Sequence, residues 1–268
     1  MDKLKGWALT IIIGGTLLYV LLWLISSMGP SFWLQFWLIA AVFMVLMNMF
    51  YTSLFLPLFN KLVPLEDGLL KNKILEYAKT VGFSLDNVFV MDGSKRSSKA
   101  NAFFSGFGKK KKVVLYDTLI EQHNPEELVA ILAHEIGHYK KKHIVQSLIL
   151  GVLQIGLLLY ILSVFVYSES LSLALGGDQM AVHLNLIGFS LLFSPISMLI
   201  GIAMNWLSRK NEFEADRFAR ETFSGKPLAE ALKTLSVKNL SNINPHPLYV
   251  YVHYSHPPLL ERLDKLEV

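Results

Sequence analysis

The chain has 268 residues, 53% hydrophobic and 17% charged, with 25 Lys and Arg against 21 Asp and Glu, a formal net charge of +4 and no cysteine. A mean hydropathy of +0.42, concentrated in blocks too long for soluble helices, excludes a wholly soluble globular domain and points to a protein of the bilayer. There is no internal repeat, nucleotide loop or low-complexity tract, nothing suggests a nucleic-acid partner, and the lack of cysteine agrees with a reducing compartment.

Two apolar runs open the chain, Trp7 to Ile25 and Phe32 to Phe59. Lys3 and Lys5 before the first run resemble the start of a signal peptide. The run is too long for such a segment, however, and a second follows after a short turn, so residues 1–60 read as an uncleaved transmembrane hairpin. Each run can cross a hydrocarbon core of about 30 Å. Pro57 is expected at or beyond the end of the second span.

Residues 61–143 read as a soluble α+β insertion. Leu69 to Val81 has helical periodicity, and Asn87 to Met91, Ala102 to Phe107 and Lys112 to Tyr116 read as strands. Lys109 to Lys112 is expected to form a basic hairpin tip, either a solubilising turn or a contact for anionic headgroups. A helix follows: Asn124 can cap it, Pro125 suits the first position, Glu127 can complete a capping box, and Leu128, Ile131, Leu132 and Ile136 give it an apolar side.

Within that helix lies His134-Glu135-Ile136-Gly137-His138, an H-E-x-x-H pattern. The two histidines fall one turn apart on one face, so both imidazoles can close on one zinc ion, and Glu135 beside them can act as general base toward a water activated by the metal. His143, about 140° further round an unbroken helix, is expected to face away as a surface residue. His123, His183, His246 and His253 lack ligand-like spacing and are assigned ordinary polar roles.

Residues 144–208 read as a second transmembrane hairpin, with spans Ile144 to Tyr167 and Val182 to Leu207, the latter kinked at Pro195. Residues 209–268 read as a cytosolic helical tail interrupted by a Pro-rich loop, Asn244 to Pro258. Lys and Arg flank the first and fourth spans and fill the insertion, while the loop between the third and fourth carries only Glu169 and Asp178. Both termini and the catalytic domain are therefore expected on the cytosolic side of a bacterial inner membrane or an endoplasmic reticulum membrane.

A catalytic zinc needs a third protein ligand. Glu212 and Asp216 sit one turn apart on a helix, and Glu214 points elsewhere. Glu212 is assigned as the third ligand, completing the site from the tail, and Asp216 as acceptor of the free ring N–H of a ligating histidine. His138 and Glu212 each lie within about 10 Å of a span end along the helix, which places the metal at the membrane–cytosol boundary and its substrates near the bilayer.

Four ordered blocks resemble the integral-membrane zinc endopeptidases of the CAAX prenyl protease (type 1) family: Gly93 to Ser98 leading into Asn101 to Gly106, His134 to His138, Glu212 to Asp216, and His256-Pro257-Pro258-Leu259-Leu260-Glu261-Arg262. Taken with the four apolar spans, the resemblance implies a membrane α-helical fold of four transmembrane helices with a cytosolic α+β zincin-like metalloprotease domain. It implies one zinc per chain and membrane-associated peptide substrates, some of them prenylated. Asn101 and Ala102 become candidates for binding the substrate backbone along an edge strand. His256 becomes a catalytic stabiliser of the oxyanion, and Arg262 a residue that reaches back to bind at the site. Members of the family have seven spans around a chamber, so this chain resembles their C-terminal four-span portion. A membrane-protein quality-control protease and a non-catalytic membrane scaffold are the alternative readings.

Overall fold

The computed structural model describes residues 2–85, 87–95, 97, 100–105 and 112–267. The chain divides into two compact units, Met1–Asn48 with Val145–Leu199 and Met49–Ile144 with Ile200–Val268. The Lys109 to Lys111 part of the basic tip, Arg96 and Ser98 of the first family block, and Gly106 and Phe107 lie outside the described residues.

The first unit is helical, as expected of apolar sequence whose backbone must satisfy its own hydrogen bonds in lipid. Helix runs from Asp2 through a π-helical stretch at Thr10–Gly14 to Met28, breaks at Gly29, and resumes at Phe32–Phe50. Gly29 has φ +58, a conformation open to glycine and costly for other residues, and Pro30 follows it. Leu24, Ile25, Phe32, Leu159, Leu162, Val166 and Phe189 form the interior, while Leu18, Trp23, Leu38, Val42, Ile149, Leu153 and Leu191 are exposed.

Contacts fix how two of these helices pair. Trp33 meets Tyr160 edge-on, the Trp37 indole N–H donates to the Val152 carbonyl at 2.8 Å, and Met44 lies against Gly151, so Phe32–Phe50 runs antiparallel to His143–Phe165. A Cβ at Gly156 would stand 2.8 Å from the Trp37 ring, so a small residue is required there. Just beyond the helix His143–Phe165 a buried Asn185 donates to the Val166 and Ser168 carbonyls, both at 2.9 Å, and accepts from Ser172 at 2.8 Å.

Among the described residues two helices qualify as membrane spans by length and composition, Lys3–Phe50 and His143–Phe165. A third is gained if Val182–Leu192 and Ser194–Thr222, bent by 45°, cross together. The bend falls at Phe193, just ahead of Pro195, whose missing N–H and ring disrupt the preceding turn.

The second unit contains a mixed four-stranded sheet in the order β1-β2-β4-β3, with β1 Leu62–Pro64, β2 Asn87–Met91, β3 Ala102–Ser105 and β4 Lys112–Tyr116. β2 and β4 are parallel, with Val88 opposite Val113, and the β1–β2 and β3–β4 pairs are antiparallel. The three strands read from the sequence start at the residues expected. β1 was not foreseen, because three residues ending in proline carry too little alternation to register.

The helices Leu69–Thr80, Pro125–Lys140 and Gly225–Lys238 close over the core with Ile74, Val88, Leu115, Leu119, Leu128, Leu132, Ile136 and Leu228, all fully or almost fully buried. The tail differs from its reading as helices around a loop. A helix Pro247–His253 occupies the Pro-rich segment, with Pro247 in its first turn and the His246 ring accepting from the Leu248 N–H.

Candidate metal centre and active site

The helix Pro125–Lys140 is capped by Asn124, whose side-chain oxygen accepts from the Glu127 N–H at 3.0 Å. The box does not close through the Asn124 backbone. Glu127 instead accepts from the Asn124 side-chain amide at 2.7 Å and pairs with the buried His123 ring at 2.9 Å. Leu128, Val129, Ala130, Leu132, Ala133 and Ile136 bury the middle of the helix on almost all sides. It packs against Gly225–Lys238, Leu69–Thr80 and the edge strand β3.

Glu212 and Asp216 come from Ser194–Thr222, and both are buried. Gly137 permits this helix to approach the H-E-x-x-H helix. A Cβ built on Gly137 would lie 3.0 Å from the Ala215 Cα, 3.2 Å from its carbonyl oxygen and 3.2 Å from the Phe218 Cβ.

The approach brings His134, His138 and Glu212 together, with one donor atom from each within 4.8 Å of the others. The two Nε2 atoms are 3.1 Å apart, His134 Nε2 is 3.4 Å from Glu212 Oε2, and His138 Nε2 is 3.3 Å from Glu212 Oε1. Tetrahedral zinc with bonds of about 2.0–2.1 Å requires donors about 3.3 Å apart, and two imidazoles with one carboxylate are a donor set it takes. The residues therefore fit a zinc ion.

The His134 Nδ1–H donates to Asp216 Oδ1 at 2.8 Å. Arg262, also buried, grips that carboxylate with Nε to Oδ2 at 2.8 Å and an NH2 group to Oδ1 at 2.6 Å, and its other terminal nitrogen lies 3.6 Å from Glu212 Oε2. Arg262 thus lies beside His134 and Glu212, with its guanidinium engaged by Asp216. Burial disfavours charge on His134, yet hydrogen bonds to Asp216 and Glu212 outweigh this and raise its pKa to about 9. Burial pushes the Glu135 carboxyl above its ordinary range, against the opposing pull of His134, His138 and Arg262.

His256 is exposed, with Nε2 3.4 Å from Glu212 Oε1 and its other ring nitrogen 3.0 Å from the Ser255 hydroxyl. Asn101 leads into β3, its carbonyl accepting from the Tyr116 N–H at 3.0 Å, and Ala102 pairs with Leu115 on the outermost strand.

His143 departs from expectation. It is buried, its Nδ1 stands 3.0 Å from His138 Nδ1, and its Nε2 stands 3.3 Å from Glu214 Oε2. The assumption of a continuous helix fails because the helix ends at Lys140 and Lys142 takes φ +62, turning His143 back toward the site. Glu214 does face away from the histidine pair's metal side, but toward His143. Nothing in Lys140-Lys141-Lys142 announces the break, since no glycine or proline marks it.

A helical membrane unit in one chain with an α+β unit that gathers an H-E-x-x-H pair and a distant glutamate has the features of a membrane-bound metalloprotease. Residues 64–268 match Peptidase family M48, and the chain belongs to that family. Residues 1–61 match the CAAX prenyl protease N-terminal region, described as five membrane helices, and the chain is an integral membrane protein.

Its similar relatives include a CAAX prenyl protease 1 homolog of Arabidopsis thaliana, 40% identical across 99% of this chain and 63% of the relative. The CAAX prenyl protease 1 of Saccharomyces cerevisiae is 35% identical across 99% and 62%. The crystal structure of S. mikatae Ste24p superposes with a TM-score of 0.92 at 35% identity, covering 100% of this chain and 66% of that one. The fold is thus that of a Ste24p-like membrane protease, helices with a small mixed sheet. The chain spans less than two thirds of the length of these relatives.

Proposed function

We propose that the chain is a zinc endopeptidase that cleaves peptides held at a membrane, with CAAX prenyl protease-like specificity. The convergence of His134, His138 and Glu212 at donor spacings that suit tetrahedral zinc carries the reading. A bound zinc ion would supply Lewis acidity, polarising the scissile carbonyl and acidifying a water molecule.

The chain's own groups supply the rest. Glu135, its carboxyl already pushed up by burial, takes the proton of the attacking water and delivers it to the departing amine. Asp216 holds His134 by its Nδ1–H so that Nε2 is the ligand, and Arg262 holds Asp216. His256, exposed beside Glu212, donates to the oxygen on which negative charge develops. The outer edge of β3, beginning at Asn101 and Ala102 next to the H-E-x-x-H helix, offers a backbone on which a substrate strand can pair.

The membrane arrangement is part of the same proposal. Dividing the first long helix at Gly29, and counting the bent pair as one span, gives four spans. Residues 1–60 and 144–208 then form membrane hairpins, and 61–143 and 209–268 form a cytosolic zincin-like catalytic domain, in accord with the distribution of Lys and Arg.

The test is purified protein, with and without zinc, assayed on farnesylated and unmodified peptides of one sequence. Wild type is expected to cleave with chelator sensitivity and to prefer the farnesylated peptide. Glu135→Gln is expected to retain zinc and lose at least a factor of about 100 in turnover. Turnover by Glu135→Gln equal to wild type would refute the assigned base, and equal cleavage of both peptides would refute lipid recognition.

A further inference from the structure

We propose that His143 and Glu214 form a hydrogen-bonded relay that positions His138 as a metal ligand, an inference that rests on the reading of His138 in the previous section. His138 directs Nε2 toward His134 and Glu212. Its remaining nitrogen, Nδ1, lies 3.0 Å from His143 Nδ1.

Two ring nitrogens in contact share one proton, so one donates and the other accepts. A histidine that gives Nε2 to a metal carries its proton on Nδ1, which makes His138 the donor and His143 Nδ1 the acceptor. A neutral His143 then holds its own proton on Nε2, and that atom faces Glu214 Oε2 at 3.3 Å. The chain of donors runs His138 to His143 to Glu214 with every role assigned.

The two metal-binding imidazoles are thereby oriented by different means. His134 donates directly to Asp216. The residues that follow His138, Tyr139 to Lys142, include no carboxylate, and the carboxylate for His138 comes from the Glu212–Asp216 helix through the intervening ring of His143. Glu214, on the side of that helix away from the metal, is then the far end of the relay. The left-handed turn at Lys142 sets the His143 ring in place. His143 and Glu214 are positioning residues: they touch neither metal nor substrate and fix the tautomer and ring plane of His138.

The experiment compares zinc affinity, by chelator competition, and the visible absorption of the cobalt-substituted site in wild type, His143→Phe, His143→Asn and Glu214→Leu. Phenylalanine keeps the ring volume but cannot accept a hydrogen bond, whereas the asparagine oxygen can. Zinc affinity is expected to fall about 10- to 100-fold in His143→Phe, with an altered cobalt spectrum. It is expected to fall several-fold in Glu214→Leu and to recover to within about 3-fold of wild type in His143→Asn. Folding is checked by circular dichroism, and if His143→Phe does not fold, Glu214→Leu against His143→Asn decides. Equal affinity and spectra in all four proteins would overturn the relay, as would an asparagine variant as impaired as its companions. If wild type itself binds no zinc, the assignment of His138 as a ligand fails instead.

Discussion

Replacing Gly137 by alanine adds one methyl group at a close approach between the two helices that carry the metal-binding side chains. Its Cβ would sit 3.0 Å from the Ala215 Cα and 3.2 Å from the carbonyl oxygen, where carbon–carbon contacts are comfortable at about 3.5–4.0 Å. Two of the three nearest atoms are backbone, so relief requires the helices to part by about 0.5 Å or more. Overpacking of this kind costs about 1–3 kcal/mol, offset by about 1 kcal/mol because alanine favours helix over glycine. Net stability is therefore expected to drop by at most about 2 kcal/mol.

Metal binding is hit harder, since donors now 3.1–3.4 Å apart would be displaced beyond the about 0.2 Å tolerance of metal–ligand distances. Zinc affinity should fall at least about tenfold while the chelated protein still unfolds cooperatively. Chelator competition and thermal unfolding in detergent measure the two effects. Gly201→Ala serves as control, because nothing lies within 4 Å of its Cβ. A folded Gly137→Ala protein with wild-type affinity would refute the idea that this contact sets the donor spacing.

Three further outcomes follow from the geometry. In the metal-free protein His134 holds its proton up to a pKa of about 9, above the ordinary 6.5. Zinc must expel that proton, so affinity should rise up to about tenfold per pH unit between 6.5 and 9 and then level off; pH-independent binding would contradict the assignment. Stability of the metal-free form moves the opposite way, because the contribution from His134 is complete below pH 6.5 and lost as pH rises through 9. Arg262→Leu leaves the buried Asp216 carboxylate without its cation and should cost about 3–5 kcal/mol, read as a fall in melting temperature that zinc only partly restores. Asn185→Leu strips partners from the Val166 and Ser168 carbonyls and the Ser172 hydroxyl and should lower stability by about 1–3 kcal/mol, measured by thermal unfolding in detergent.

How much of this was legible beforehand depended on the range of the signal. The H-E-x-x-H helix announced itself locally, through Asn124, Pro125 and a run of leucine and isoleucine, and β2 and β4 through their valines. The approach of Glu212 and Asp216 to His134 required only helical phase and the chemistry of a missing ligand. Arg262 was brought to the site by resemblance, but its grip on Asp216 depends on packing between residues far apart in sequence, which periodicity does not encode. His143 was misplaced because a rule valid inside a helix was carried across its end, and a lysine at positive φ leaves no mark in the sequence. β1 escaped through brevity, and the helix Pro247–His253 hid in a segment whose prolines also suit a turn.

The separation of 128 residues between His134 and Arg262 has a bearing on how the protein is made. Under the proposed mechanism, a nascent chain that has already displayed its histidine pair still lacks the glutamate, and later the guanidinium that steadies Asp216. The growing polypeptide is thus harmless to its neighbours while its apolar helices are being inserted. Hydrolytic competence then arrives only after those helices have been synthesised, so the order of residues along the chain itself acts as a safeguard.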